Sequence, residues 1–507
     1  MSMTDGERAV HESALAAIGR GELLRAQELY ATATSTGNAS PDLIAEHGFL
    51  LWSVYSVQEA SRLFDTVVND AQSSPALCRL IARRYFSIGQ FEKAVAAMRS
   101  AVACDGDAEN YELLAGCLER NNELSEAWDY ATRSLALAPA APRPVRLLAH
   151  IERRRGEFDA AIHRLQQHLA RYEDAWDWGL RYELAACLDR VGRFDEAWSE
   201  LLLAKSMLSS QAAPSLAKSY AIRTRQKELT TSTTDADLSR WHTASSTLAN
   251  PMSITLMAGF PRSGTTLLEQ IISAHPRCIG TDESGVLASQ FISPIVREPA
   301  DVADAMIEIR AFDRAQIDAG RQTYLRFTEA YLWGPVGGRM LIEKDPMLTP
   351  DLPLPLRLFP DAKVLMPLRD PRDVVISYFF TMVPLDWSSA SAISIDESAR
   401  FYRDCMLHWI YLRERLAWPT HEARYEDLVS DQVCETQRIF GFLGLDWQPD
   451  VLQVEQRSAQ RAIRTPTYDD ITRPIYQRSV ARWRNYERQL APVLQILDPL
   501  LHELGYE

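Results

Sequence analysis

Six alanines, Ala26, Ala60, Ala94, Ala127, Ala161 and Ala197, recur at intervals of 34, 34, 33, 34 and 36 residues. Spacing this regular calls for a supersecondary unit of fixed length, each copy burying its apolar face against the next. The flanking residues identify the unit. Gly89-Gln-Phe-Glu-Lys-Ala94, Gly156-Glu-Phe-Asp-Ala-Ala161 and Gly192-Arg-Phe-Asp-Glu-Ala197 share a glycine, an aromatic ring and the alanine. Gly21-Glu-Leu-Leu-Arg-Ala26 and Asn122-Glu-Leu-Ser-Glu-Ala127 are milder versions, and Tyr55 takes the glycine position in the weakest copy. Glycine or asparagine turns the chain between two helices, the aromatic or leucine packs under the turn, and alanine lets the helices approach closely. Pro41, Pro75 and Pro139 fall where one hairpin should end and the next begin.

The array resembles tetratricopeptide (TPR) proteins over residues 10–210, about six repeats. That resemblance implies an α-solenoid whose concave face takes a peptide or protein partner; a scaffold that only orients the rest of the chain is the alternative. Residues 211–250 read as a capping helix, Leu216 to Leu229, followed by a polar linker that begins at Thr230-Thr-Ser-Thr-Thr-Asp235.

The remaining residues, 251–507, open on a different pattern. Ile254 to Ala258 reads as a buried strand, Gly259 to Gly264 as a tight turn, and Thr265 to Ala274 as a helix closed before Pro276. Such a turn cradles an oxyanion, because the unpaired N–H groups of the first helical turn converge where the helix dipole adds positive charge. Gly259-x4-Gly264 imitates a nucleotide-triphosphate loop, but Thr265 stands where that loop has its lysine, which argues against a kinase or NTPase. Arg262 supplies a cation from inside the turn.

The run Pro261-Arg-Ser-Gly-Thr-Thr266 resembles the 5′-phosphosulfate-binding loop of sulfotransferases that use 3′-phosphoadenosine 5′-phosphosulfate (PAPS), in the spelling of the protein-tyrosine sulfotransferases. Further matches follow in order. Glu283, seven residues beyond His275-Pro276, stands where that family has its general base, a role that chemistry demands because a phenol or alcohol must lose its proton as it attacks. Lys344-Asp-Pro346 matches the triplet whose lysine stabilises charge on the oxygen bridging sulfate and nucleotide. Arg369 and Ser377, eight apart across a strand-turn-helix, match the 3′-phosphate pair, a guanidinium fork beside a hydroxyl. Arg372 reads as a surface or helix-cap arginine near that pocket. Tyr425, in Arg424-Tyr-Glu-Asp-Leu428, matches a nucleotide-side tyrosine and reads alternatively as a core tyrosine.

Arg473 to Arg484 is similar to a C-terminal loop that closes over PAPS through a serine and a basic residue before tryptophan. The register departs: Ala481 occupies the family's serine position, leaving Ser479 as the candidate transition-state contact, Arg482 as a phosphate ligand, and Trp483 as a packing or adenine-stacking residue. The implied fold is a P-loop-like α/β domain with a central parallel sheet behind the α-solenoid. The implied reaction moves a sulfuryl group from PAPS to an acceptor hydroxyl, on a peptide tyrosine or on a glycan, lipid or small phenol, with no metal. A non-catalytic TPR adaptor with a nucleotide-binding domain is the alternative.

Composition narrows the partners. A net charge of −14 disfavours nucleic acid or an anionic membrane, and no run reaches the ~18 apolar residues of a membrane span. Met1 to Glu12 lacks a secretory pattern, and seven scattered cysteines without CxxC pairs point to a reducing compartment, the cytoplasm, without a zinc site.

Overall fold

The computed structural model describes residues 3–20, 22–35, 37–70, 73–248, 250–298, 301–382, 385–453 and 478–507. The chain divides into two compact units, Met1–Trp176 with Glu329–Pro335, and Asp177–Thr328 with Val336–Glu507.

The first unit is a run of helix pairs: Asp5–Gly19 and Leu23–Thr34, Pro41–Ser53 and Val57–Val68, Pro75–Ser87 and Phe91–Cys104, Ala108–Arg120 and Leu124–Leu137, Pro142–Arg155 and Phe158–Arg171. Each periodic alanine, Ala26 through Ala197, is fully buried, as close helix approach requires. The turn positions Tyr55, Gly89, Asn122, Gly156 and Gly192 all adopt left-handed φ, between 63 and 82°; Gly21 lies outside the described residues. Ser40 and Ser74 cap helices that open on Pro41 and Pro75, while Pro139 sits in the turn ahead of a helix opening on Pro142. Phe64, Tyr85, Leu114 and Leu118 lie in one continuous core, against which Trp333 packs.

The sixth pair, Asp177–Arg190 and Phe194–Ser232, groups with the second unit. The stretch read as a separate capping helix is the end of this 39-residue helix, which runs through Pro214. Its polar side chains explain the grouping. Gln226 donates to Asp351 at 3.0 Å, Thr230 meets His408 at 2.7 Å, and Arg223 pairs with Asp404.

Five strands form the sheet of this unit: β1 (Ile254–Met257), β2 (Cys278–Gly280), β3 (Met340–Lys344), β4 (Lys363–Leu368) and β5 (Thr420–Arg424). Their order is β2-β3-β1-β4-β5, every pairing parallel. β1, β3 and the last five residues of β4 are wholly buried, the near-continuous apolar pattern of a sheet covered on both faces. Leu268, Ile271 and Ile272 of helix Thr265–Ser273 share one core with Met257, Leu365, Ile439 and Phe440. Helices Val302–Ala311 and Arg314–Tyr331 lie between β2 and β3, with Ile307 exposed. From β1 the chain runs to β2 at one edge, and from β3 it crosses to β4 on the other side of β1, so the order reverses around central β1 and the crevice beyond its C-terminal end is where such sheets bind ligands. Among the described residues no helix is long and apolar enough to cross a membrane, and all seven cysteines are free.

Candidate anion-binding and transfer site

The turn after β1 is held open by its backbone. Gly259 has φ 122°, Arg262 77° and Gly264 95°, and Gly264 leads directly into helix Thr265–Ser273. Two of these positions tolerate no side chain beyond their own. A Cβ on Gly264 would stand 2.8 Å from the Tyr425 ring, and one on Gly259 would stand 3.1 Å from Ser263 Oγ. The Thr349 hydroxyl braces the turn, donating to Gly259 O at 2.6 Å and accepting its N–H at 2.8 Å. Ser263, Thr265 and Thr266 are buried here, with Pro261 beside them in the turn. This wall of N–H groups at a helix start favours an anion.

The turn after β4 meets it from one side. Arg262 Nε donates to Ser377 Oγ at 2.9 Å, and Arg369 donates to the Arg262 carbonyl at 3.0 Å and to the Ser479 carbonyl. The Arg369 guanidinium lies 4.8 Å from the Tyr425 ring centre, and its Nε is buried without a hydrogen-bond partner among the described residues. A buried cation with a donor to spare is suited to an oxyanion. Asp373 sits behind it at 3.9 Å; burial, partly offset by Arg369, pushes its carboxyl up to about 6.

From β3 comes the third cation. Lys344 is fully buried at the strand end, its Nζ 2.9 Å from Glu269, 3.2 Å from Glu283, 3.5 Å from Asp282 and 3.5 Å from Thr266 Oγ1. Burial alone would discharge the ammonium, but Glu269, Glu283 and Asp282 outweigh it and raise its pKa. Glu283 is pushed up as well, by desolvation first and then by Asp282 and Asp345, with Lys344 offsetting part. Some 38% of its side chain faces solvent, so it can be reached from outside. A raised, reachable carboxyl beside a permanent cation is a proton acceptor next to a charge stabiliser.

Most residues singled out in the sequence thus come together. Arg262, Arg369, Ser377 and Tyr425 surround the turn on one side, and Thr266, Lys344 and Glu283 on the other. Ser479 reaches Arg369 through its carbonyl. Arg482 goes elsewhere: its guanidinium pairs with Asp189 at 2.9 Å and stacks 4.7 Å from the Phe380 ring centre. Arg372 chelates Asp370, the cap of helix Pro371–Phe380, and covers Trp483 at 4.1 Å. Arg473 to Gln477 lie outside the described residues. Sequence reasoning missed Glu269, Thr349 and Asp373. Glu269 carried a signal, a lone charge on the buried face of an otherwise uncharged helix.

Residues 255–449 match the model of the sulfotransferase family. An uncharacterized protein from Aquifex aeolicus is 28% identical over 251 residues, covering 47% of this chain and 31% of that protein. Protein-tyrosine sulfotransferase 1 from Danio rerio is 26% identical over 283 residues, covering 50% of this chain and 73% of its own. Among solved structures, a sulfotransferase domain from the curacin biosynthetic pathway aligns with a TM-score of 0.29 at 16% identity, covering 48% of this chain and 98% of its own.

Proposed function

We propose that the chain, a TPR-like helical array followed by residues that match the sulfotransferase family model, transfers the sulfuryl group of PAPS to an acceptor hydroxyl. One observation carries the reading. Two cation-bearing side-chain clusters adjoin a single loop: Arg262 links it to Ser377 at 2.9 Å, and Thr266 links it to Lys344 at 3.5 Å. A nucleotide with phosphates at both ends needs such a pair, and PAPS would supply the activated sulfuryl group between them.

The chain's own groups divide the work. Arg369, Ser377 and Tyr425 would hold the 3′-phosphate end, and the turn Pro261–Thr266 the 5′ end. Glu283 takes the acceptor's proton as the acceptor oxygen bonds to sulfur and the sulfur–oxygen bond to the nucleotide breaks. Lys344 and Arg262 match the negative charge left on the departing phosphate oxygen. Positioning and fixed charge supply most of such catalysis.

The acceptor we favour is a tyrosine hydroxyl on a protein, because several relatives are named protein-tyrosine sulfotransferases. The array offers a place for such a partner. A groove of about 310 Å³ is lined by Phe86, Leu113, Leu147 and Trp176, with Arg79, Arg83 and Arg143 outnumbering Glu112 around them, which suits an acidic, partly apolar segment.

Transfer of radiolabelled sulfate from PAPS into cell lysate, wild type beside Glu283→Ala, tests the reading. Loss of a general base should lower transfer by about 100-fold or more. Equal labelling by both proteins would remove Glu283 from the mechanism, and binding of adenosine 3′,5′-bisphosphate without transfer would mark an adaptor.

A further inference from the structure

We propose that Glu269 is a positioning residue of the transfer centre: its two carboxylate oxygens set the Lys344 ammonium and the Thr281–Glu283 turn in place against each other. The inference rests on the transferase reading and extends it to a residue outside the Pro261–Thr266 turn and the Lys344-Asp-Pro346 triplet.

The geometry is that of a double tie. Glu269 is 1% exposed on helix Thr265–Ser273, with Oε2 2.9 Å from Lys344 Nζ and Oε1 accepting the Asp282 N–H at 2.8 Å. The turn needs that tie. Asp282 and Glu283 have φ of 47° and 58°, left-handed values that a non-glycine residue holds only where the surroundings impose them. Gly280 lets the strand pass this close, because a Cβ there would stand 2.6 Å from Glu269 Oε1.

Charge gives the tie its effect on chemistry. Lys344, Asp282 and Glu283 face Glu269, and Glu343 and Asp345 on β3 and just beyond it belong to the same acidic surroundings. Without Glu269 the ammonium is left to Glu283 and Asp282, which lowers the proton affinity of Glu283 and weakens it as a base. Burial, partly offset by Lys344, pushes Glu269 up to about 7, so a phosphate arriving beside Lys344 should draw a proton onto it.

The test uses the full chain and Glu269→Gln, Glu269→Ala and Glu269→Asp. Gln keeps an acceptor for the Asp282 N–H and removes the charge; Asp restores the charge. Supporting groups of this kind typically change activity by ~10- to 100-fold, so kcat should fall by that much in Gln and Ala, with partial recovery in Asp. The KM for PAPS should stay within about 3-fold, and the acid limb of the pH profile should move to lower pH in Gln. Calorimetry with adenosine 3′,5′-bisphosphate at pH 7, in two buffers of different ionisation enthalpy, should show proton uptake by wild type and less by Gln. Unchanged kcat, or a kcat loss matched by loss of folded protein and of ligand affinity with an unmoved pH profile, overturns the proposal. If wild type transfers no sulfate, the transferase reading fails instead. The calorimetry then decides the matter alone, and equal proton uptake by wild type and Gln overturns the role of Glu269.

Discussion

A buried lysine among three carboxylates is the least forgiving position in the chain. Removing one partner of a buried ion pair typically costs about 3–5 kcal/mol, because the charge left behind has neither water nor counter-ion. Lys344→Met should therefore abolish sulfate transfer and also lower stability by about 3 kcal/mol, measured by urea unfolding. The deficit should be larger at pH 8 than at pH 5, where Glu269 and Glu283 escape by taking protons. At this scale the sequence showed whatever is contiguous. Pro261–Thr266 and Lys344-Asp-Pro346 are local strings, and the residues they predicted meet at one loop. Glu269 and Thr349 act only through partners far along the chain, and a string of letters does not display that. Arg482 illustrates the converse, since an arginine beside a tryptophan reads as a phosphate ligand until Asp189 is seen to pair with it.

Among the helices, the repeat period was legible because every copy must solve the same steric problem at the same place. Among the described residues nothing lies within 4 Å of where a Cβ would stand on Gly156 or Gly192, so alanine there meets strain alone. Gly156→Ala should lower the unfolding free energy by about 1 kcal/mol, seen as a lower Tm with activity per folded molecule retained. In the sheet, β3 carries a buried acid whose pH response is testable. Tyr324 donates its hydroxyl to Glu343, and desolvation first, only partly offset by that bond, pushes Glu343 up to about 8 from an ordinary 4.5. A carboxyl raised in the folded state gives stability that is complete below about pH 4.5 and is lost as pH rises to about 8. Glu343→Gln, which cannot ionise, should gain on wild type between pH 5 and pH 8 and hold a constant margin above that, as thermal melts across the range would show.

Across the whole molecule, the sequence reads residues 211–250 as a capping helix and polar linker, and the compact units part after Trp176. Polar residues of that segment have tertiary partners that the sequence does not display: Gln226 meets Asp351, Thr230 meets His408, and Arg223 pairs with Asp404. A chain starting at Pro251 would leave buried Asp351 with Arg297 at 3.6 Å but without its amide donor. It should melt lower and aggregate sooner than one starting at Asp177, by differential scanning fluorimetry and light scattering. One last property follows from the order β3-β1-β4. Lys344, the cradle and Arg369 hang from three neighbouring strands, so the span from first to last is two interstrand steps, roughly 10 Å. That width is ruled by amide geometry and not by loop length, so under the proposed function new acceptors would be accommodated by rebuilding the outer segments while the gauge that would measure the nucleotide stays the same.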